Sequence, residues 1–97
     1  MTSKQRAYLK GLAMTMDPIF QIGKSNLTPE NTTSIGEALD ARELIKISVL
    51  QNCTDDPREL AETLAERTRS AVVQVIGKKI VLYKEGKDEK KKIVLPK

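Results

Sequence analysis

The 97-residue sequence contains no histidine, no tryptophan and a single cysteine, Cys53. Without histidine there is no Ser-His-Asp or Cys-His triad, no imidazole proton shuttle and no histidine metal ligand. One cysteine forms no internal disulfide and no multi-cysteine zinc site. Aromatic rings are nearly as scarce, with only Tyr8, Phe20 and Tyr83 present. No apolar run approaches the roughly 20 residues that a membrane-spanning helix needs. Nor does a basic patch followed by an apolar stretch open the chain, so neither a membrane nor a secretory signal is expected. These absences weigh against an enzyme and call for no cofactor.

What the chain does carry is charge, unevenly placed. Seventeen basic and thirteen acidic residues leave a net charge of +4. Residues 1–29 carry Lys4, Arg6, Lys10 and Lys24 against Asp17 alone. Residues 30–66 hold three basic and nine acidic groups, whereas residues 67–97 hold ten basic and three acidic. Two basic ends therefore flank an acidic middle. If the ends fold side by side they form a positive face suited to a polyanion, with an acidic face behind it.

The length allows one domain with one modest core. Thr2 and Ser3 can each cap a first helix, over Lys4 to Met16, with Tyr8, Leu9, Leu12, Ala13 and Met16 on one stripe. Asp17-Pro18 is expected to end it, because the proline ring pushes the preceding residue out of helical geometry. Ile19 to Ile22 reads as a short buried strand. Thr28-Pro29-Glu30 is a cap followed by proline at the first helical position, opening a second helix to about Ala41. Leu44 to Gln51 alternates as a strand, with Lys46 and Ser48 opposite Ile45, Ile47 and Val49. Asp55-Asp56-Pro57 opens a third helix, which carries the stripe Leu60, Ala61, Leu64 and Ala65 and ends near Ser70.

Val72 to Ile76 and Lys79 to Tyr83 are strand-like and flank Gly77-Lys78, a pair suited to a type II′ hairpin turn. The expected order is α-β-α-β-α-β-β: an α/β fold with a mixed four-stranded sheet layered with three helices. Residues 1–84 make the domain and 85–97 a charged tail, whose last apolar residues, Ile93 to Pro96, are suited to docking back. On which face of the sheet the first helix packs is left open.

The most informative stretch is Gly23-Lys24-Ser25-Asn26, between a strand and a capped helix. A glycine lets backbone approach a phosphate closely, Lys24 adds a charge, and the helix start adds a positive dipole end. On spacing alone the signal is weak, since a glycine-containing strand-to-helix loop is an ordinary connection. Other segments strengthen it. Lys-Gly-Leu-Ala at 10–13, Gln-Ile-Gly-Lys at 21–24, Leu-Thr at 27–28, Glu-Leu-Ile-Lys-Ile at 43–47, Val-Gln-Val-Ile-Gly-Lys at 73–78 and Val-Leu-Tyr at 81–83 occur in order. Together they resemble the bacterial YhbY-type proteins, each a lone chloroplast RNA splicing and ribosome maturation (CRM) domain.

That resemblance implies a fold similar to the C-terminal domain of translation initiation factor three. It also implies an RNA-binding module associated with precursor large ribosomal subunits, hence a cytoplasmic location. The family's KH-like Gly-x-x-Gly loop falls on Gly23, Lys24, Ser25 and Asn26, with Asn26 in place of the second glycine. Asparagine tolerates the left-handed conformation better than most residues. By analogy, the loop grips phosphates and Lys4, Arg6, Lys10, Lys78 and Lys79 extend a positive track on a monomer. With so few rings, recognition is expected to follow RNA shape and backbone, with little stacking of bases.

Blander readings stand beside each of these. Lys4, Arg6 and Lys10 also suit a solvated helix face, Lys78 and Lys79 an edge that discourages strand pairing. Phe20 reads as core and Cys53 as structural. One competing function is a protein adaptor that docks a basic ribosomal protein on the acidic stretch Asp55 to Glu66. Another is a phosphate-ester enzyme using the loop as a nucleotide cradle, but the loop completes no Walker motif and no paired acid and base accompanies it.

Overall fold

The computed structural model describes residues 1–23, 27–86 and 93–96. Its elements are α1 (Ser3–Ala13), β1 (Phe20–Ile22), α2 (Pro29–Arg42), β2 (Leu44–Val49), α3 (Pro57–Thr68), β3 (Ala71–Ile76) and β4 (Lys79–Tyr83). The α-β-α-β-α-β-β order is the one expected.

Local chemistry accounts for most boundaries. Thr2 closes a capping box on α1: its hydroxyl accepts from the Gln5 N–H at 3.1 Å, and the Gln5 side chain accepts from the Thr2 N–H at 3.0 Å. That satisfies two donors left orphaned at a helix start. Thr28 and Asp56 cap α2 and α3 without the reciprocal bond, their side-chain oxygens accepting from the Asn31 and Arg58 N–H groups, with proline at the start of each helix. Helix α1 stops sooner than Asp17-Pro18 would impose. The Met14 N–H is shared between the carbonyls of Lys10 and Gly11, a tightened last turn. Its inward stripe is also narrower than the spacing suggests: Leu9 and Ala13 are buried, but Tyr8 is 43% and Leu12 37% exposed.

The four strands form one sheet in the order β1-β2-β4-β3. β1 runs parallel to β2, pairing Ile22 with Val49, which is the product of a strand–helix–strand crossover. β4 is antiparallel to both of its neighbours. Ile76 and Lys79 pair across Gly77-Lys78, and φ is positive at Gly77 (54°) but not at Lys78, the pattern of a type II′ turn. A bulge between Val72 and Gln74 shifts the register of β3.

Alternation along the strands creates two cores. Ile45, Ile47 and Val49 of β2 with Ile80 and Leu82 of β4 face Ile35, Leu39, Leu60, Ala61 and Leu64 of α2 and α3. The intervening residues Leu44, Val81 and Tyr83, with Val73 from the bulge, face Leu9 and Ala13 of α1. Two helices thus cover one face, while α1 lies alone on the other. Phe20 and Cys53 belong to the larger core, as expected. Ile93 and Leu95 pack beside α1, and the Gln5 side-chain N–H donates to the Pro96 carbonyl at 3.1 Å. The docking is held by Glu43, a fully buried residue in the turn from α2 to β2. Its carboxylate accepts from the backbone N–H groups of Gly86 (3.3 Å) and Ile93 (3.2 Å). Glu43 has φ +66°, a sparsely populated conformation for a side-chain-bearing residue.

Candidate nucleic-acid interface

Because β1 and β2 are parallel and β4 runs back, three loops meet at one end of the sheet. The Leu50 N–H donates to the Ile22 carbonyl at 2.8 Å, and the Val49 N–H donates to the Lys78 carbonyl at 2.7 Å. The exit of β1 at Gly23 and the hairpin tip at Lys78 therefore flank the end of β2 on either side. Two strand steps separate them, about 10 Å. The caps of α2 and α3 lie at this same end, since each helix follows one of the two parallel strands.

Gly23 has an ordinary negative or extended φ, so left-handed geometry does not explain it. An added Cβ would meet the Asn52 amide oxygen at 3.2 Å and a Leu50 methyl at 3.4 Å. The glycine thus lets the first loop lie close against the loop that follows β2. Lys24, Ser25 and Asn26 lie outside the described residues.

Helix α1 crosses the opposite sheet face toward this end. Its N-terminal residues Met1 and Gln5 lie by Ser70, Ala71 and Tyr83, whereas Lys10, Gly11 and Met14 lie by Ile76 and Lys79. Between α1 and the sheet is an open groove of about 620 Å³, lined by Lys10 from α1, Lys46 from β2 and Lys79 from β4. The Lys79 ammonium donates to the Ser48 hydroxyl at 2.9 Å across the two strands, which places its charge over the sheet. Among the described residues none of these three lysines forms an ion pair.

The structure therefore brings Lys10 and Lys79 together, with Lys78 and Gly23 at the adjoining sheet end. Arg6, four residues before Lys10, shares its flank of α1. Lys4 does not join them. It lies about 9 Å back along the helix axis and roughly 120° round it from Lys10. Sequence reading overlooked Lys46 and Gln74, both lining the groove. Lys46 was discoverable as the one charge in an otherwise apolar or small central strand. Gln74 was not, because only the bulge in β3 sets which way it faces.

Charge divides across the sheet. α1 carries Lys4, Arg6 and Lys10 and no acidic residue, while α2 and α3 carry Glu30, Glu37, Asp40, Glu59, Glu62 and Glu66 against three arginines. Basic residues at the start of α1 oppose its dipole, so helix stability does not favour them.

Comparison with known proteins agrees with this architecture. A family model described as the CRS1 / YhbY (CRM) domain matches residues 1–84. The chain belongs to the CRM-domain family. This CRM protein is similar to the Bacillus subtilis "Probable RNA-binding protein YqeI", 51% identical over 96 residues and covering 99% of each chain. It is 34% identical to a Haemophilus influenzae "RNA-binding protein", covering 99% of this chain and 95% of that one. The solution structure of hypothetical protein SAV1595 from Staphylococcus aureus matches with a TM-score of 0.82 and 54% identity, over 99% of both chains. The CRM resemblance and the α/β fold read from the sequence both stand.

Proposed function

We propose that this CRM protein binds structured RNA by its sugar–phosphate backbone and acts as a cytoplasmic monomer on ribosomal RNA in precursor large subunits. It does so without catalysis. The observation that carries the reading is the convergence of Lys10, Lys46 and Lys79 on one groove, next to the sheet end that holds Gly23 and Lys78. RNA-binding names among the relatives support it. The ribosomal assignment rests on the family resemblance set out above.

In this reading the loop that begins at Gly23 follows the backbone of the RNA, and the lysines and Arg6 continue the contact along α1. Lys24 supplies the loop's charge. Few rings are present to stack bases, so phosphates contribute most of the affinity.

Binding of a ribosomal RNA fragment, titrated with salt, tests the proposal. Affinity is expected to fall steeply, with a log–log slope near −0.7 to −0.9 for each phosphate neutralised. Lys24→Glu should weaken binding further. An adaptor working through Asp55 to Glu66 would show neither the slope nor any response to that reversal. Such a result would overturn the RNA reading.

A further inference from the structure

The groove under α1 is not purely ionic. Beneath its three lysines the lining is largely apolar, and it includes Met14 and Ile76, which are 82% and 59% exposed. An isoleucine standing in the open on an edge strand is an aggregation liability unless something covers it. Its volume of about 620 Å³ falls within the range of sites that enclose small organic ligands.

Strand pairing sets the sheet side of the groove. Lys46 and Gln74 both pair with Val81, so the three side chains share the sheet face turned toward α1.

We infer that the groove receives one unpaired nucleotide of the bound RNA, its base inserted between α1 and the sheet and its flanking phosphates on Lys10, Lys46 and Lys79. This deepens the RNA-binding reading and rests on it. The match is in the chemistry. A nucleotide has a flat apolar body with anionic groups at its edge, and the groove has an apolar lining with cations at its rim. The Met14 thioether is a soft contact for a ring edge. The Gln74 amide, also in the lining, can both donate to and accept from a base. Lys79 uses one of its three N–H donors on Ser48, which leaves two for phosphate oxygens.

The test compares two RNA hairpins of equal length, one fully paired and one with a single bulged 2-aminopurine, against the full chain. The bulged hairpin is expected to bind about tenfold tighter, through the apolar area its base buries, and its fluorescence should change on binding. Ala7→Leu enlarges a side chain of the groove's α1 wall without altering charge. It should abolish the preference and the fluorescence change while keeping affinity for the paired hairpin and its salt dependence. Thr15→Leu, an exposed position outside the groove's lining, should retain the preference. A thermal melt no lower than that of the parent shows that both variants fold. Equal affinity for the two hairpins with steep salt dependence overturns the nucleotide site alone, as does an Ala7→Leu variant that keeps the preference. Binding to neither hairpin overturns the RNA reading along with it.

Discussion

The two faces of the sheet are built on different plans. On one, α2 and α3 lie side by side and close a continuous aliphatic core that contains no lysine. Their outer surfaces are acidic. On the other, α1 covers part of the sheet with Leu9 and Ala13, and Ile93 and Leu95 cover another part. Lys46 and Lys79 emerge beside α1 on the part of this face next to Ile76. The closed face supplies stability. The open face sacrifices burial, leaving Ile76 exposed beside a cationic groove.

Substitutions on each face should separate these roles. The largest effect is expected at Leu64, which is fully buried between α3 and the sheet. Leu64→Ala should destabilise the fold by about 2–5 kcal/mol in urea unfolding, through lost burial and a residual cavity. RNA affinity of the fraction that remains folded should be unchanged. A loss of affinity at full folding would break the division of labour.

Next in size is charge reversal. Lys10→Glu with Lys79→Glu should weaken RNA binding by at least about tenfold and flatten the salt slope by roughly the contribution of two phosphates. Stability should barely move. Glu62→Lys on α3 changes the net charge by a similar amount per site but on the closed face, and it should leave the slope alone. If the three substitutions acted through net charge alone, Glu62→Lys would strengthen binding in proportion, and the groove would lose its special standing.

A smaller effect is expected at Glu43. Glu43→Gln weakens the two hydrogen bonds its carboxylate accepts from Gly86 and Ile93. Hydrogen bonds to charged groups contribute about 1.5–3 kcal/mol, and the amide retains one acceptor, so a cost of about 1 kcal/mol is expected. Hydrogen exchange at the Ile93 amide should speed up before that of the β4 amides. Simultaneous loss of protection at both would mean that Glu43 supports the whole fold instead of the docked end.

The secondary structure was legible because its signals are local. Thr28-Pro29 and Asp56-Pro57 announce helix starts, and Gly77-Lys78 announces a hairpin, through the chemistry of a few adjacent residues. The breadth of α1's buried stripe was not legible. Tyr8 and Leu12 have helical spacing with Leu9, yet a helix that packs alone against a sheet buries only a narrow line of contacts. Strand β2 misled in another way. Ser48 reads as solvent-facing by alternation, but it is buried beside Lys79.

The candidate site divides along the same line. Basic residues near both chain ends were visible as composition, and Gly23 as a loop signal. Their convergence required the parallel β1–β2 pairing, which places the Gly23 loop and the Lys78 turn at one sheet end. Lys46 comes from the acidic middle of the chain, so no segment-by-segment charge count would have selected it.

By itself, then, the amino-acid order determined which segments are helix or strand, which residues seek the interior and that the ends are basic, because caps, turns and periodicity act over a few residues. Only the tertiary structure decided that α1 takes the face opposite α2 and α3, and that a bulge and a lone helix leave a lysine-lined groove. Those outcomes depend on how sheet faces are shared among elements far apart in the chain, where many arrangements bury similar area and packing chooses between them.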